Sequence, residues 1–225
     1  MGVFGYDLTD PALYDSGFPH RVFTGIRRDC PVAWHDPAEF GPVTDGFWSI
    51  AGYAQVVEVL GRCDTTGQVP DTLVEDAFAL CVLELARRPT AWHALRTEAS
   101  LLATAVDELA RWVSPVAAVW CQAPEELVLG RHRIAPGERL ACWIPSANRD
   151  DTEFGRDAMD LRLDRTPNPH LTFHGAPTAR AELLDQLTDL VTTTDELVLA
   201  GEPEWVRSVE RSALRSLPVE LVVRS

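Results

Sequence analysis

The first third of the chain combines short apolar runs of helical spacing with runs typical of strands. Val22, Phe23 and Ile26 recur at helical intervals, which predicts a helix that ends before Pro31. Two apolar segments farther on are bounded by turn residues and predict the strands of a hairpin. The predicted elements here are a helix over 20–29, strands 32–35 and 46–50 with loop 36–45, and a helix over 54–60.

The remainder begins after a polar break over 61–70 with a helix over 71–88 that is apolar on almost every side. Pro89 ends this helix, and strand-like runs follow Pro115. Because helices dominate and the strands are short, we expect an α+β fold that is mainly α. The other predicted elements are helices 90–97, 101–112 and 179–190, strands 116–121, 126–129 and 139–144, a loop-rich stretch 148–169, and a C-terminal strand.

The net charge of the chain limits the kinds of partner that it can bind. A net charge of −14 with an isoelectric point near 4.8 repels phosphate backbones, so we expect no nucleic-acid partner. All 20 basic residues are arginine, which excludes a lysine Schiff base or a lysine nucleophile.

Compartment and metal content follow from the apolar runs and the cysteines. No run reaches the roughly 18 apolar residues of a membrane span, and the first residues lack a signal-peptide layout. We therefore expect a cytoplasmic protein without a membrane partner. The five cysteines are scattered and form no C-x-x-C pair, so we expect reduced thiols and no metal. They are Cys30, Cys63, Cys81, Cys121 and Cys142.

A series of motifs occurs in a fixed order along the second half. Glu108 and Arg111 form an ExxR motif, and a spacing of three places both on one helix face, where they can pair. The segments SPV, APGE, SANRD and PNPHL follow in that order. In these blocks the chain resembles the bacterial cytochromes P-450, as a truncated homologue that lacks the haem-ligating cysteine loop and most of the central helices.

The resemblance implies a truncated cytochrome P-450-like fold with small sheets. We expect a single domain over 1–225, with an N-terminal helix and sheet part over 1–66 and the remaining blocks over 67–225. In the family the ExxR pair and a third residue, here Arg165, form a buried network. The resemblance therefore implies a role in folding, not in catalysis, for Glu108, Arg111 and Arg165.

Several departures from the family pattern concern the haem. The family's F-x-x-G-x-x-x-C-x-G loop is shortened here to Phe173 and HGAPT, and the A-R-x-E motif of the next helix follows at once. Cys121 stands where the family places an arginine for a haem propionate. The family's acid–alcohol pair falls near Thr72 and Leu73, which do not supply both groups. We therefore expect a haem-free protein with no cofactor, not a monooxygenase.

Two functions remain open, with a nonfunctional fragment as a third interpretation. The first is a cofactor-independent cyclase, isomerase, epimerase or dehydratase that acts on an apolar intermediate of bacterial specialised metabolism. Its candidate proton carriers are His174 and His170 in the shortened loop and Asp76 and Glu75 on the central helix. His170 has a structural alternative, and the two acids can be solvated or helix-capping.

The second function is a non-catalytic helper. Some family relatives without the cysteine bind and stabilise a partner enzyme, a glycosyltransferase. A helix over 71–88 that is apolar all round must be buried all round. We therefore expect a homodimer or a tight complex with a partner enzyme, besides an apolar small-molecule ligand.

Overall fold

The computed structural model describes residues 5–36, 46–65 and 67–224. The chain divides into two compact units. The sheet unit comprises Met1–Gln68, Val116–Met159 and Arg207–Arg211, and the helical unit comprises Val69–Pro115, Asp160–Val206 and Ser212–Ser225. Most of the predicted hairpin loop over 36–45 lies outside the described residues. The expectation of a single domain stays a prediction.

The sheet unit is built on a four-stranded sheet with the order β1-β2-β6-β3. Strands β2 and β6 are parallel, and the other neighbouring pairs are antiparallel. A separate antiparallel pair joins β4 and β5. The elements are α1 (His20–Asp29), β1 (Val32–His35), β2 (Phe47–Ile50), α2 (Tyr53–Leu60), β3 (Ala118–Gln122), β4 (Leu127–Leu129), β5 (His132–Ile134), β6 (Arg139–Trp143), α6 (Ile144–Ala147) and α7 (Asp151–Phe154).

Trp143 lies at the centre of the core of the sheet unit. Its indole is fully buried beside the ring of Phe23, with 4.9 Å between the ring centroids. The indole N–H donates a hydrogen bond of 2.9 Å to Ser49 Oγ, so its one polar group is satisfied inside an apolar core. The register Val32↔Ile50 to His35↔Phe47 confirms the hairpin that the sequence predicted.

The helical unit contains four main helices and two antiparallel strand pairs, β7–β10 and β8–β9. Its elements are α3 (Leu73–Ala86), α4 (Pro89–Thr97), α5 (Leu102–Val113), α8 (Ala179–Thr193), β7 (Thr194–Leu199), β8 (Glu204–Trp205), β9 (Leu214–Ser216) and β10 (Val219–Val223). The α+β class predicted from the sequence is confirmed by this mixture of helices and small sheets.

Helix α3 is buried on most of its circumference, as its composition requires. It packs against α4, α5, α8, β7 and β9, all of the same unit. Leu80 and Leu83 are at most 3% exposed, and Val82 on another side is 6% exposed. A single chain thus covers most of the helix, so the argument for a second subunit no longer follows from α3. The homodimer stays a prediction.

Several elements differ from the predicted ones. Helix α8 continues to Thr193 because Leu190 and Val191 still face the protein interior. Strand β7 begins directly after it and is set by its pairing with β10, a contact that no local pattern reveals. The stretch predicted as loop-rich contains the short helix α7, which Asp150 caps by accepting a hydrogen bond from the backbone N–H of Thr152.

Candidate functional site

A buried ion pair lies on helix α5. The Arg111 guanidinium donates two hydrogen bonds to the Glu108 carboxylate, from Nε to Oε2 at 2.7 Å and from Nη2 to Oε1 at 2.8 Å. Both side chains are completely buried. Such a two-point contact fixes the geometry of the pair and satisfies charges that would otherwise be costly in the interior.

Residues of the segment between 160 and 168 complete this network. Arg165 Nε donates to Glu108 Oε2 at 3.0 Å, and Asn168 Nδ2 donates to the same oxygen at 3.0 Å. The backbone N–H of Arg162 donates to the other oxygen at 2.8 Å. The structure thus brings together the three residues that the resemblance grouped, and it adds Asn168. One carboxylate fastens helix α5 to an irregular segment about 50 residues away in sequence.

A second ionic cluster lies beside the first and was not anticipated from the sequence. Arg180 on α8 donates to both oxygens of Asp107, at 2.7 and 2.8 Å. The ring Nε2 of His170 lies 3.5 Å from Asp107 Oδ1. Burial alone would raise the pKa of Asp107, but the hydrogen bonds and positive charge of His170 and Arg180 lower it to about 2. The available signal was the A-R-x-E motif, which contains Arg180.

The two histidines proposed as proton carriers have different surroundings. The side chain of His170 is 6% exposed, and its Nδ1 accepts a hydrogen bond of 3.3 Å from the backbone N–H of Thr172. With Nε2 directed at Asp107, both ring nitrogens have partners. His174 lies exposed in a turn, where its backbone N–H donates to the carbonyl of Leu171.

The two acids lie in the first turn of α3. Glu75 is exposed, and Asp76 is half-buried and accepts a hydrogen bond of 2.9 Å from the hydroxyl of Thr72. The bonds of Asp76 to Thr72 and of His170 to Asp107 and Thr172 join none of the four candidates to another.

Within residues 5–36, 46–65 and 67–224, no group of three or more His, Cys, Asp or Glu side chains is arranged to hold a metal ion. Among the helices described, none has both the length and the apolar character of a membrane span.

Similar proteins are bacterial cytochromes P-450, although no protein-family model matches the chain. Nocardicin C N-oxygenase of Nocardia uniformis is 41% identical over 155 residues, which are 65% of this chain and 38% of that protein. Cytochrome P-450 NovI of Streptomyces niveus is 34% identical over 148 residues, 62% of this chain and 36% of that protein. The chain thus spans little more than a third of the length of these relatives.

A solved structure supports the same fold. Cytochrome P-450-153 from Novosphingobium aromaticivorans superimposes with a TM-score of 0.80 and 21% identity, over 96% of this chain and 99% of that one. Together with the ordered motifs and the buried Glu108 network, these similarities lead to one conclusion. The chain is a relative of the bacterial cytochromes P-450 and has a cytochrome P-450-like fold.

Proposed function

We propose that this chain is a haem-free cytochrome P-450-like protein that does not act as a monooxygenase. The carrying observation is the shortened segment between Phe173 and Ala179, where α8 begins. In the family, the loop before the helix that α8 resembles supplies the cysteine that ligates the iron. Here only five residues separate Phe173 from α8.

The residues in and near the shortened segment do not fit a thiolate-ligated haem. The segment between Phe173 and Ala179 contains no cysteine. Cys81 on α3 is the one cysteine of the helical unit, and it is fully buried, which raises its pKa strongly. A cysteine ligates iron as the thiolate, so this environment disfavours Cys81 in that role. The exposed imidazole of His174 has no side-chain hydrogen bond among the described residues to orient it as a ligand.

A haem titration tests this proposal. Increasing haem would be added to the purified chain, with Cytochrome P-450 NovI without its haem as the positive control and the His174→Ala variant as a matched control. We expect only weak, unsaturated absorption changes that are the same for the chain and the variant. A saturable Soret band at one haem per chain, with a carbon monoxide difference band after reduction, would show that the proposal is wrong.

Between the two roles expected from the sequence, the contacts favour a non-catalytic one. Acid–base catalysis requires a proton donor and acceptor positioned around one substrate. Both nitrogens of His170 already have partners within the fold. The cyclase or isomerase hypothesis therefore stays a prediction that these contacts do not support.

The ribbon surface on β7 and β10 favours a protein partner. Val198 and Val222 lie on the same face of the ribbon and are each 49% exposed, whereas Leu221 lies on the opposite face with the buried Leu197. Apolar side chains exposed on one face gain stability when a partner covers them. We propose that a partner enzyme binds here. Because one relative is named as an N-oxygenase of nocardicin C, we propose that this partner acts on small bacterial metabolites. A second copy of the chain is the alternative occupant.

A coexpression experiment separates the helper from the enzyme. A glycosyltransferase, the partner class that the resemblance implies, would be produced alone, with the chain, and with each of two variants. Val222→Asp places a charge on the ribbon surface, and Val128→Asp does so at a matched exposed position of the sheet unit, 49% against 50% exposed. We expect the chain and Val128→Asp, but not Val222→Asp, to raise the soluble yield or activity of that enzyme.

Variants of the four candidate proton carriers test the enzyme hypothesis. His170→Ala, His174→Ala, Glu75→Gln and Asp76→Asn would be tested in the same coexpression. A helper retains its effect in all four when they remain folded. Loss of a product in any variant with a native thermal transition would instead favour the cofactor-independent enzyme.

A further inference from the structure

Three of the five cysteines meet in the sheet unit. Cys121 lies on β3 opposite Leu140 of β6, so Cys142 is its diagonal neighbour on the same face of the sheet. Cys63 follows the end of α2, and its thiol lies close enough to that of Cys121 for each to shift the pKa of the other. All three are free thiols. No local pattern predicts this cluster, because its members are separated by 58 and 21 positions, from 63 to 121 and from 121 to 142.

The cluster borders a cavity of about 490 Å³. Cys121 is one of the residues of its wall, beside Trp120, Arg139 and Asp64. Cys121 is 9% exposed and Cys63 is 7% exposed, whereas Cys142 is completely buried. A small molecule in the cavity would therefore meet Cys121, with Cys63 next to it and Cys142 behind.

The hydrogen bonds within the cluster make the three thiols chemically unequal. Hydrogen bonds from Cys142 and, to a lesser extent, Cys63 lower the pKa of Cys121 although burial opposes them. Burial raises the pKa of Cys63, and the hydrogen bond to Cys121 followed by burial raises that of Cys142. A lowered pKa raises the share of thiolate, which is the form of a cysteine that acts as a nucleophile.

We propose that Cys121 and Cys63 are a dithiol site for low-molecular-weight disulfides, in which Cys121 attacks and Cys63 resolves. This site lies in the sheet unit and does not depend on the proposed helper role. It also does not depend on haem, because neither step uses a cofactor.

The exchange has two balanced steps. The Cys121 thiolate attacks one sulfur of the bound disulfide, a Cys121–sulfur bond forms, and the first small thiolate leaves with the electron pair of the broken bond. Cys63 then loses its proton to water, and its sulfur attacks the sulfur of Cys121. The second small thiolate leaves, and each released thiolate takes a proton from solvent. The small disulfide is reduced to two thiols, and the pair is oxidised to one disulfide.

Strand geometry favours Cys63 over Cys142 as the resolving thiol. Diagonal neighbours on adjacent strands are about 7–8 Å apart, whereas the Cα atoms of a disulfide are usually about 4.4–6.8 Å apart. The regular register of β3 and β6 would have to shift before Cys121 and Cys142 could bond. Cys63 lies after a helix end and is not held in a strand register.

The test uses 5,5′-dithiobis(2-nitrobenzoate) on the folded full chain. Cys30 is half-buried in the wall of another cavity, so the background carries Cys30→Ser. We expect rapid release of two equivalents of coloured thiolate, a protein mass lower by two hydrogens, and a peptide map that links Cys63 to Cys121. Adding Cys63→Ser should leave one rapid equivalent and a stable adduct on Cys121. Adding Cys121→Ser should slow the reaction by roughly a factor of ten or more.

Three results would contradict the proposed dithiol site. One is an unchanged rate in a Cys121→Ser variant that keeps the native circular dichroism and melting transition. Another is a stable adduct on Cys121 in the Cys30→Ser protein while Cys63 remains a free thiol. The third is a peptide map without the Cys63–Cys121 link, which needs no variant in the cluster and so does not depend on the folding of one. Cys81→Ser, in the helical unit, is the matched control and should react like its background.

Discussion

Two parts of the helical unit differ in how many residues of the family pattern they keep: the Glu108 network and the shortened segment between Phe173 and Ala179. Every partner in the network is in place, and Glu108 and Arg111 are completely buried with paired charges. The shortened segment has lost the cysteine, and His174 in it is exposed. The comparison indicates that the buried network of the family is present in a chain whose segment after Phe173 has no cysteine.

The largest expected effect comes from removing one member of the buried pair. Arg111→Ala leaves the Glu108 carboxylate without its two-point partner, which should lower the free energy of unfolding by about 3–5 kcal/mol. Arg133→Ala is the matched control, because Arg133 and its partner Glu126 are exposed, at 74% and 56%. That change should cost less than about 1 kcal/mol. Denaturant titration measures the free energy of unfolding of both variants. An Arg111→Ala protein as stable as the unchanged chain would show that the network does not stabilise the fold.

A smaller effect is expected at the other end of the network. Arg165→Ala removes a charge-assisted hydrogen bond to Glu108 but leaves the bonds from Arg111 and Asn168, so we expect a loss of about 1.5–3 kcal/mol. Arg165→Lys should recover part of that loss, since a lysine keeps the charge but not the planar fork. If Arg165→Ala destabilises the chain more than Arg111→Ala, the contact from the irregular segment contributes more to stability than the pair within α5.

The Asp107 cluster predicts a dependence on pH. Its pKa in the folded chain, about 2, lies below the value of about 3.9 expected after unfolding. The stabilisation is therefore complete above pH 4 and is lost as the pH falls towards 2. Asp107→Asn should be less stable than the unchanged chain by about 2 kcal/mol at neutral pH, and the difference should shrink across that window. A difference that is constant from pH 5 to pH 2 would contradict the ionic origin.

The smallest effect is expected in the shortened segment. His174 is exposed, so His174→Ala should change the free energy of unfolding by less than about 0.5 kcal/mol. The same melting experiment with Thr172→Val is the contrast, because Thr172 is buried and its hydroxyl donates 2.8 Å to the carbonyl of Ala110. Comparable losses in both variants would mean that the segment is part of the folding core after all.

Local patterns predicted the elements that carry their own periodicity. Helix α1 and the β1–β2 hairpin follow from apolar spacing and turn residues, and the ExxR spacing predicted the Glu108–Arg111 pair. Strand β7 was missed because its pairing with β10 is tertiary. Asp107 and the three thiols were missed for a related reason: each depends on residues that are distant in sequence and meet only after folding.

The absorption spectrum of the chain, purified from cells supplied with a haem precursor, tests the central claim most directly. A relative such as Nocardicin C N-oxygenase, produced in parallel, shows that haem was available. We predict that the chain absorbs only in the aromatic region, because the segment after Phe173 provides no thiolate. A Soret band that copurifies with the folded chain, in proportion to its concentration, would contradict the account.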